Sequence, residues 1–554
     1  MTLKNLFLFA SIFLIRNTLF SQDNGKLNVG LESNMQYYVD DAVTGEFTDE
    51  HNFRSNNYLK TDYNLKKFEF GLQLESYYPK ALLNYSPNFN KEIGIGTYYA
   101  KYKSKKIEAT LGYFYEQFGS GLILRLWEDR QLGINNALRG ARIKFNLTQK
   151  LNFTALYGKQ RVGFKVSDGS IFGFNSNYDA SNEETSLQFE FSYVGRYQDF
   201  NEDYFIEHQN NRDFNALTNA FSGRINYAKN SIYANLEGVW KSKDNLVEFD
   251  NIIGNRSFYG NALLLEMGYS KKGFGFTTTM RRMENMTFYS DRQANGNTFN
   301  EQIINFVPAL TRQQDYSLAN IYVYSAQPKL SFNPLNKAGE IGLQWDLYYK
   351  IKKNSALGGK YGTKIAVNFS NWYGLGADYL TDFKRISTKF LALGERYFTD
   401  FTIEVRKKLN TRNKMIYSFI NSYYNKFYVE ETHDQIKSNV LAVEWSHKFE
   451  NKKSMRLEAQ HLWTKQDKKN WLAATGEFNF NSHLAVFAAD MYNYGNDDAN
   501  QQNHYYNIGG SYTKNSNRYA ISYGRQREGL LCVGGVCRVV SAATGFTFNV
   551  NISF

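Results

Sequence analysis

The sequence predicts an all-β protein, a large transmembrane antiparallel β-barrel of about 22–26 strands. Three observations carry that prediction. Apolar and polar residues alternate along most of the chain, the N-terminus has the pattern of a secretory signal, and an alternating run continues to a terminal aromatic residue.

Composition narrows the field first. The 554 residues hold 65 Lys+Arg and 53 Asp+Glu, a formal charge of +12, with 17% aromatic residues and only 5 Pro. A helical membrane protein would need runs of about 20 apolar residues, and none is present. Collagen-like and low-complexity chains are excluded by the absence of a Gly period or Pro enrichment. The abundance of Tyr (42) and Phe (44) argues against disorder.

At the N-terminus, Lys4 precedes the apolar run Leu6 to Ile15, and a short polar stretch ends at Ser21-Gln22. A basic start, about ten apolar residues and a small residue predict a secretory signal over 1–21. The run is too short to cross a bilayer as a helix. No Cys follows Ser21, so no lipid anchor is expected. At the other end, Phe546, Phe548, Val550, Ile552 and Phe554 alternate with Thr547, Asn549, Asn551 and Ser553. That period of two predicts a closing strand with one face in hydrocarbon. Phe554 is the expected C-terminal signal for the barrel-assembly machinery.

Between the ends, the same unit repeats. Phe68, Phe70, Leu72 and Leu74 alternate with Glu69, Gly71, Gln73 and Glu75. Similar alternation runs from Ile341 to Lys350, from Leu441 to Phe449 and from Met455 to Trp463. One face suits lipid and the other suits a polar lumen. A soluble sandwich also alternates, but its strands would be shorter and its turns richer in Pro. Aromatic pairs such as Tyr77-Tyr78, Tyr98-Tyr99, Tyr348-Tyr349, Tyr423-Tyr424 and Tyr505-Tyr506 are expected at the interfacial girdles.

Short Lys/Asn turns at 64–66, 103–105, 148–150, 228–230, 270–272, 410–412, 450–452 and 514–516 are expected in the periplasm. Longer segments are expected outside the cell, at 38–56, 79–92, 119–139, 163–183, 198–214, 243–257, 285–318, 352–361, 428–436 and 493–503. The up-and-down count does not close around 184–215 and 361–400. A single barrel domain over 22–554 is expected, with no plug domain in front.

Cys532-Val533-Gly534-Gly535-Val536-Cys537 reads as a tight hairpin. With Val533 and Val536 closing the turn, Cys532 and Cys537 face each other at a non-hydrogen-bonded pair, where side chains come closest. A disulfide is natural there, stabilising by roughly 2 kcal/mol because the ring is small; a redox or metal pair is the alternative. The segment from Glu116 to Gly140 breaks the alternation and mixes Gly with charge. It is either a loop folded into the lumen or a structured outer loop. In the first case Arg125, Glu128, Asp129, Arg130 and Arg139 form a constriction whose charges set ion selectivity. Arg525, Arg527 and Arg538 either line the mouth of the lumen or form an interstrand charge ladder.

Enzymatic signals are missing. There is no G-x-S-x-G, and the 7 His are scattered without ligand spacing. No catalysis, metal or cofactor is expected. Asp497-Asp498 reads as a solvated loop or a calcium site, and no basic patch points to nucleic acid.

The Glu116–Gly140 and Arg525–Arg538 segments, with the terminal strand, resemble an uncharacterised family of large outer-membrane barrels from Bacteroidetes-type bacteria, the DUF6029 type. Gly534-Gly535-Val536-Cys537-Arg538 is the most specific part of that resemblance. It implies an integral outer-membrane barrel and brings no activity or functional residues with it. Two functions fit these readings. One is a porin-like channel for passive passage of small solutes, narrowed by the 119–139 loop. The other is a non-conducting structural subunit of an outer-membrane assembly or secretion complex. The expected partners are outer-membrane lipid, the assembly machinery and, in the second case, another outer-membrane complex.

Overall fold

A computed structural model of the chain describes residues 25–199, 215–248, 251–292, 299, 301–331, 337–379, 386–432 and 435–554. The expected signal over 1–21 and most of the 198–214 loop lie outside the described residues.

Twenty-four strands form one antiparallel sheet. The first, Gly25–Val39, pairs with the last, Ala543–Ser553, in a register from Gly30 opposite Ser553 to Val39 opposite Thr544. Phe554 extends the pairing, its amide donating to the Val29 carbonyl at 2.9 Å. The sheet therefore closes on itself, and every wall strand has two hydrogen-bonded neighbours, the condition for strands to cross lipid.

The predicted parity holds around the wall. Phe68, Phe70 and Leu72 are exposed while Gln73 and Glu75 are buried. Leu457 and Trp463 are exposed while Glu458 and Gln460 between them are buried. Outward-facing apolar side chains with nothing packed on them form a band around the barrel. In water such a band would be unfavourable; in a bilayer it is the contact surface. The protein is an integral outer-membrane barrel on this physical ground.

The eight short Lys/Asn turns all lie at the end that also carries Gly25 and Ser553. The opposite end carries the long loops. Three expectations about the loops are corrected. Residues 163–183 are mostly a wall strand, Lys165–Asp179, entered by a two-residue turn at Gly163-Phe164. Gly163 sits at φ +58°, and a Cβ there would lie 2.3 Å from the Asn88 carbonyl oxygen, so the turn can be this tight only with glycine. Residues 243–257 mostly continue the strands Ile232–Glu248 and Asn251–Lys271. Residues 352–361 connect Gly339–Ile351 to Thr363–Tyr379 at the short-turn end. The overlooked strand and this misplaced connection account for the count that did not close.

The aromatic pairs divide between the two faces. Tyr78, Tyr98, Tyr348 and Tyr349 are exposed, whereas Tyr77, Tyr423 and Tyr424 are buried. The inner surface is also less polar than expected. Leu156, Ile171, Val194, Val239 and Met283 face inward as one apolar stripe, and Trp372, Phe398, Ile420, Leu462 and Trp471 as another.

Leu111 lies mid-wall, opposite Ala100 and Ala141, and is 64% exposed. Leu111→Arg is expected to destabilise the barrel by about 2–4 kcal/mol, the cost of a cation at the centre of the bilayer. Urea titration of protein folded into lipid vesicles measures it, with Lys66→Arg in the short-turn loop as the silent control.

Candidate functional site: the occupied lumen

The apolar stripes exist because chain folds in against them. Residues 116–137 turn into the lumen as two small pairings, Gln117–Phe118 with Leu124–Arg125 and Glu128–Asp129 with Ile134–Asn135. Wall carboxylates hold the first turn: the Gly119 amide donates to Glu190 at 3.1 Å and the Ser120 amide to Glu237 at 3.0 Å. Leu122, Ile123 and Leu124 then bury against the first stripe. This is the lumen-folded alternative for the segment.

The described residues of the 285–338 connection, of which 285–318 was expected as an outer loop, also run inward. Phe288 and Ile304 join the first cluster, and Tyr316, Leu318, Tyr322 and Tyr324 pack on the second stripe. The two segments are bonded together, the Arg125 amide to the Ile304 carbonyl at 2.8 Å and the Phe306 amide to the Gly121 carbonyl at 2.9 Å. The cysteine hairpin completes the assembly. Cys532 and Cys537 form the disulfide, directly opposed with Cα atoms 4.0 Å apart. Gly534 and Gly535 have φ +57° and +80°, the left-handed pair that a two-residue I′ turn requires. The hairpin is tied to the plug, the Gly535 carbonyl accepting the Ala309 amide at 2.9 Å.

Charged contacts pin this plug to the wall. Glu340, fully buried, accepts Arg281 at 2.7 Å and the Gln327 amide at 2.8 Å, and also receives the Tyr324 hydroxyl. Asp244 takes Arg196 from the wall at 2.7 Å and Arg292 from the plug at 2.8 Å. A further pair lies within the wall beside the plug: Glu75 and Arg161, each 1% exposed, meet at 2.5 Å, and Tyr77 donates to the same carboxylate at 2.8 Å.

The plug leaves one large space, about 840 Å³, along the wall formed by Trp471–Asn479 to Ala543–Ser553 and by Gly25–Val39. Asn34, Gln36, Ser522, Thr547 and Asn549 line it with amides and hydroxyls. Both Arg518, just past the 515–516 turn, and Arg525, near the other end of strand Asn517–Gln526, border it. The space thus follows a strand for about 25 Å, close to the roughly 30 Å of bilayer hydrocarbon.

The residues singled out from the sequence fall in different places. Arg130, Arg525 and Arg527 line the space. Arg130 is held by Glu128 at 3.1 Å and by Glu32 of the first strand. Arg525 pairs with Asp41 at 2.7 Å. Burial opposes ionisation of Asp41, but hydrogen bonds from Arg525 and from the Val43 and Thr44 amides outweigh it and keep the carboxyl below its usual range. Asp129 accepts the Leu132 amide at 2.8 Å and shapes the loop. Arg125 lies within the plug, its guanidinium 3.7 Å from the Phe306 ring centre. Arg139 is placed outside the lumen. It is exposed, and its strand neighbour Leu138 faces the inner cluster, so the alternation of the pleat turns Arg139 outward. Arg518 and Glu32 went unnoticed in the sequence, although Arg518 shares a parity with Ser522 and Gly524 that marks the inner face. Among the described residues, no group of three or more His, Cys, Asp or Glu could hold a metal ion.

The whole chain, residues 1–554, matches a family of unknown function, DUF6029. The chain belongs to that family. No curated protein matches this DUF6029 chain. It is similar to three solved outer-membrane structures. The P pilus usher (PapC) translocation pore is 9% identical, over 95% of this chain and 99% of that one, with a TM-score of 0.42. The siderophore receptor PirA from Pseudomonas aeruginosa is 8% identical, over 96% and 81%, at 0.41. A BenF-like porin from Pseudomonas fluorescens Pf-5 is 8% identical, over 96% and 98%, at 0.35. Likeness at these scores carries no inference about this chain.

Removing the Glu340 carboxylate strands Arg281 and frees Tyr324 and the Gln327 amide together. Glu340→Ala is expected to destabilise the plug by about 3–5 kcal/mol, the usual effect of breaking one side of a buried pair. Limited proteolysis of the folded barrel in detergent checks it: new cleavage within 285–338 is expected while the wall stays resistant.

Proposed function

We propose that this protein is a porin-like channel of the outer membrane, passing small solutes between its plug and one side of its wall. The observation that supports the reading is the polar space beside the plug, bordered at both ends of the strand Asn517–Gln526. A plug held by a buried carboxylate and apolar stripes occupies much of the lumen among the described residues, so the route runs to one side of it. Passage of this kind needs no cofactor and no catalytic group; selectivity follows from the width and the lining charges. The proposed surroundings are outer-membrane lipid on the outer band and the barrel-assembly machinery during biogenesis.

The test is electrical. Full-length protein in a planar bilayer is expected to give steady single-channel steps. Ser522→Trp, which places an indole in the space, is expected to cut conductance by about half or more. A silent barrel that co-purifies with one fixed complex would instead establish the structural-subunit reading.

A further inference from the structure

We infer that the space beside the plug favours small oxyanions, carboxylates or phosphates, over cations; as a statement about permeation this rests on the porin-like reading above. Five guanidiniums border the space, those of Arg130, Arg518, Arg525, Arg527 and Arg538, against the two carboxylates of Glu32 and Asp490. Two of the five are matched: Arg130 by Glu32 and Glu128, and Arg525 by Asp41. Asp490 is itself engaged by His504 at 2.7 Å.

The other three are different. Among the described residues, Arg518, Arg527 and Arg538 have no carboxylate oxygen within 4.0 Å, and Glu528, next to Arg527 in the chain, does not come that close. Arg538 is 7% exposed and donates to the carbonyls of Asn84 at 2.6 Å and Gln131 at 2.8 Å. Arg527 reaches the Asn320 carbonyl at 3.4 Å. Carbonyls satisfy donors without cancelling a formal charge, and a guanidinium does not shed its proton. For Arg538, a charge withdrawn from water without an ionic partner is costly, and a mobile anion beside it relieves that cost.

Their placement suits transit. Arg527 and Arg538 stand toward the long-loop end and Arg518 toward the short-turn end, with the neutral donors Ser522, Thr547 and Asn549 between them. An anion meets guanidiniums without a carboxylate in contact at both ends, and the low-dielectric walls focus that field along the space. A cation meets Glu32, already paired with Arg130, and a single further carboxylate, Asp490, which is bonded to the His504 ring.

Two measurements on the full-length protein test this. In planar bilayers under a KCl gradient, the zero-current potential is expected to give a chloride-to-potassium permeability ratio of at least ~3, falling toward 1 in the R518Q/R527Q/R538Q variant. Titration calorimetry of the detergent-solubilised protein with inorganic phosphate is expected to show saturable binding, weakened at least ~10-fold in R527Q or R538Q. Glutamine keeps donors for the carbonyls of Asn84, Gln131 and Asn320, and R518Q, exposed and away from the plug, serves where the others do not fold. Potassium preference, or a ratio unmoved by the substitutions, overturns the inference and leaves the channel standing. An electrically silent protein that still binds phosphate through Arg527 and Arg538 overturns the channel and keeps the anion site. No current and no binding overturns both.

Discussion

The hydrogen-bonded seam between Gly25–Val39 and Ala543–Ser553 is the constraint from which the rest of the structure follows. Hydrocarbon offers no partner to a free amide, so the sheet has to close. With twenty-four strands, closure draws a ring too wide for side chains from opposite walls to meet. The interior is then open to water or filled by chain. Here it is largely filled by 116–137, 285–338 and the cysteine hairpin, all entering from the long-loop end. The inward apolar stripes are the wall's half of that arrangement, since Val194 or Trp372 facing an empty aqueous lumen would gain nothing.

Electrostatics divides the lumen into two regions. Where plug meets wall, charge is cancelled locally: Glu75 with Arg161, Glu340 with Arg281, Asp244 with Arg196 and Arg292. Such pairs add little net stability over apolar packing, but a displaced register of the plug would strand Arg292 and take Tyr324 and the Gln327 amide away from Glu340. Along the residual space, two guanidiniums, Arg527 and Arg538, rest on carbonyls instead. The same residue type thus fixes position in one place and holds field in the other.

The wall was readable in the sequence because lipid imposes a strict period of two on its outer face. Phe68, Phe70 and Leu72, and Phe546 to Ile552, could be assigned a side from composition alone. The cysteine hairpin was readable because two adjacent glycines between valines leave few geometries. The plug was only half legible. Residues 119–139 stood out by breaking the alternation, which left a lumen loop and an outer loop both open, but Tyr316, Leu318, Tyr322 and Tyr324 have no period, since they pack on a partner surface and not on a regular face. Lys165–Asp179 was missed because its alternation is weak: Ile171 faces inward against the plug, while Asp168, Ser170 and Ser176 interrupt the face that carries Phe172 and Phe174. Arg139 was misassigned because a register shift of one residue decides inside from outside, and composition cannot fix that register. Arg518 carries no local signal beyond its parity.

The hairpin's grip on Ala309 has a consequence for biosynthesis. The inner segments emerge from the ribosome in the first two thirds of the chain, yet one of their anchors, Gly535, is made only in the final twentieth. The strand that completes the surrounding wall is later still. Seating of the interior is therefore complete only once the tail of the polypeptide has been added.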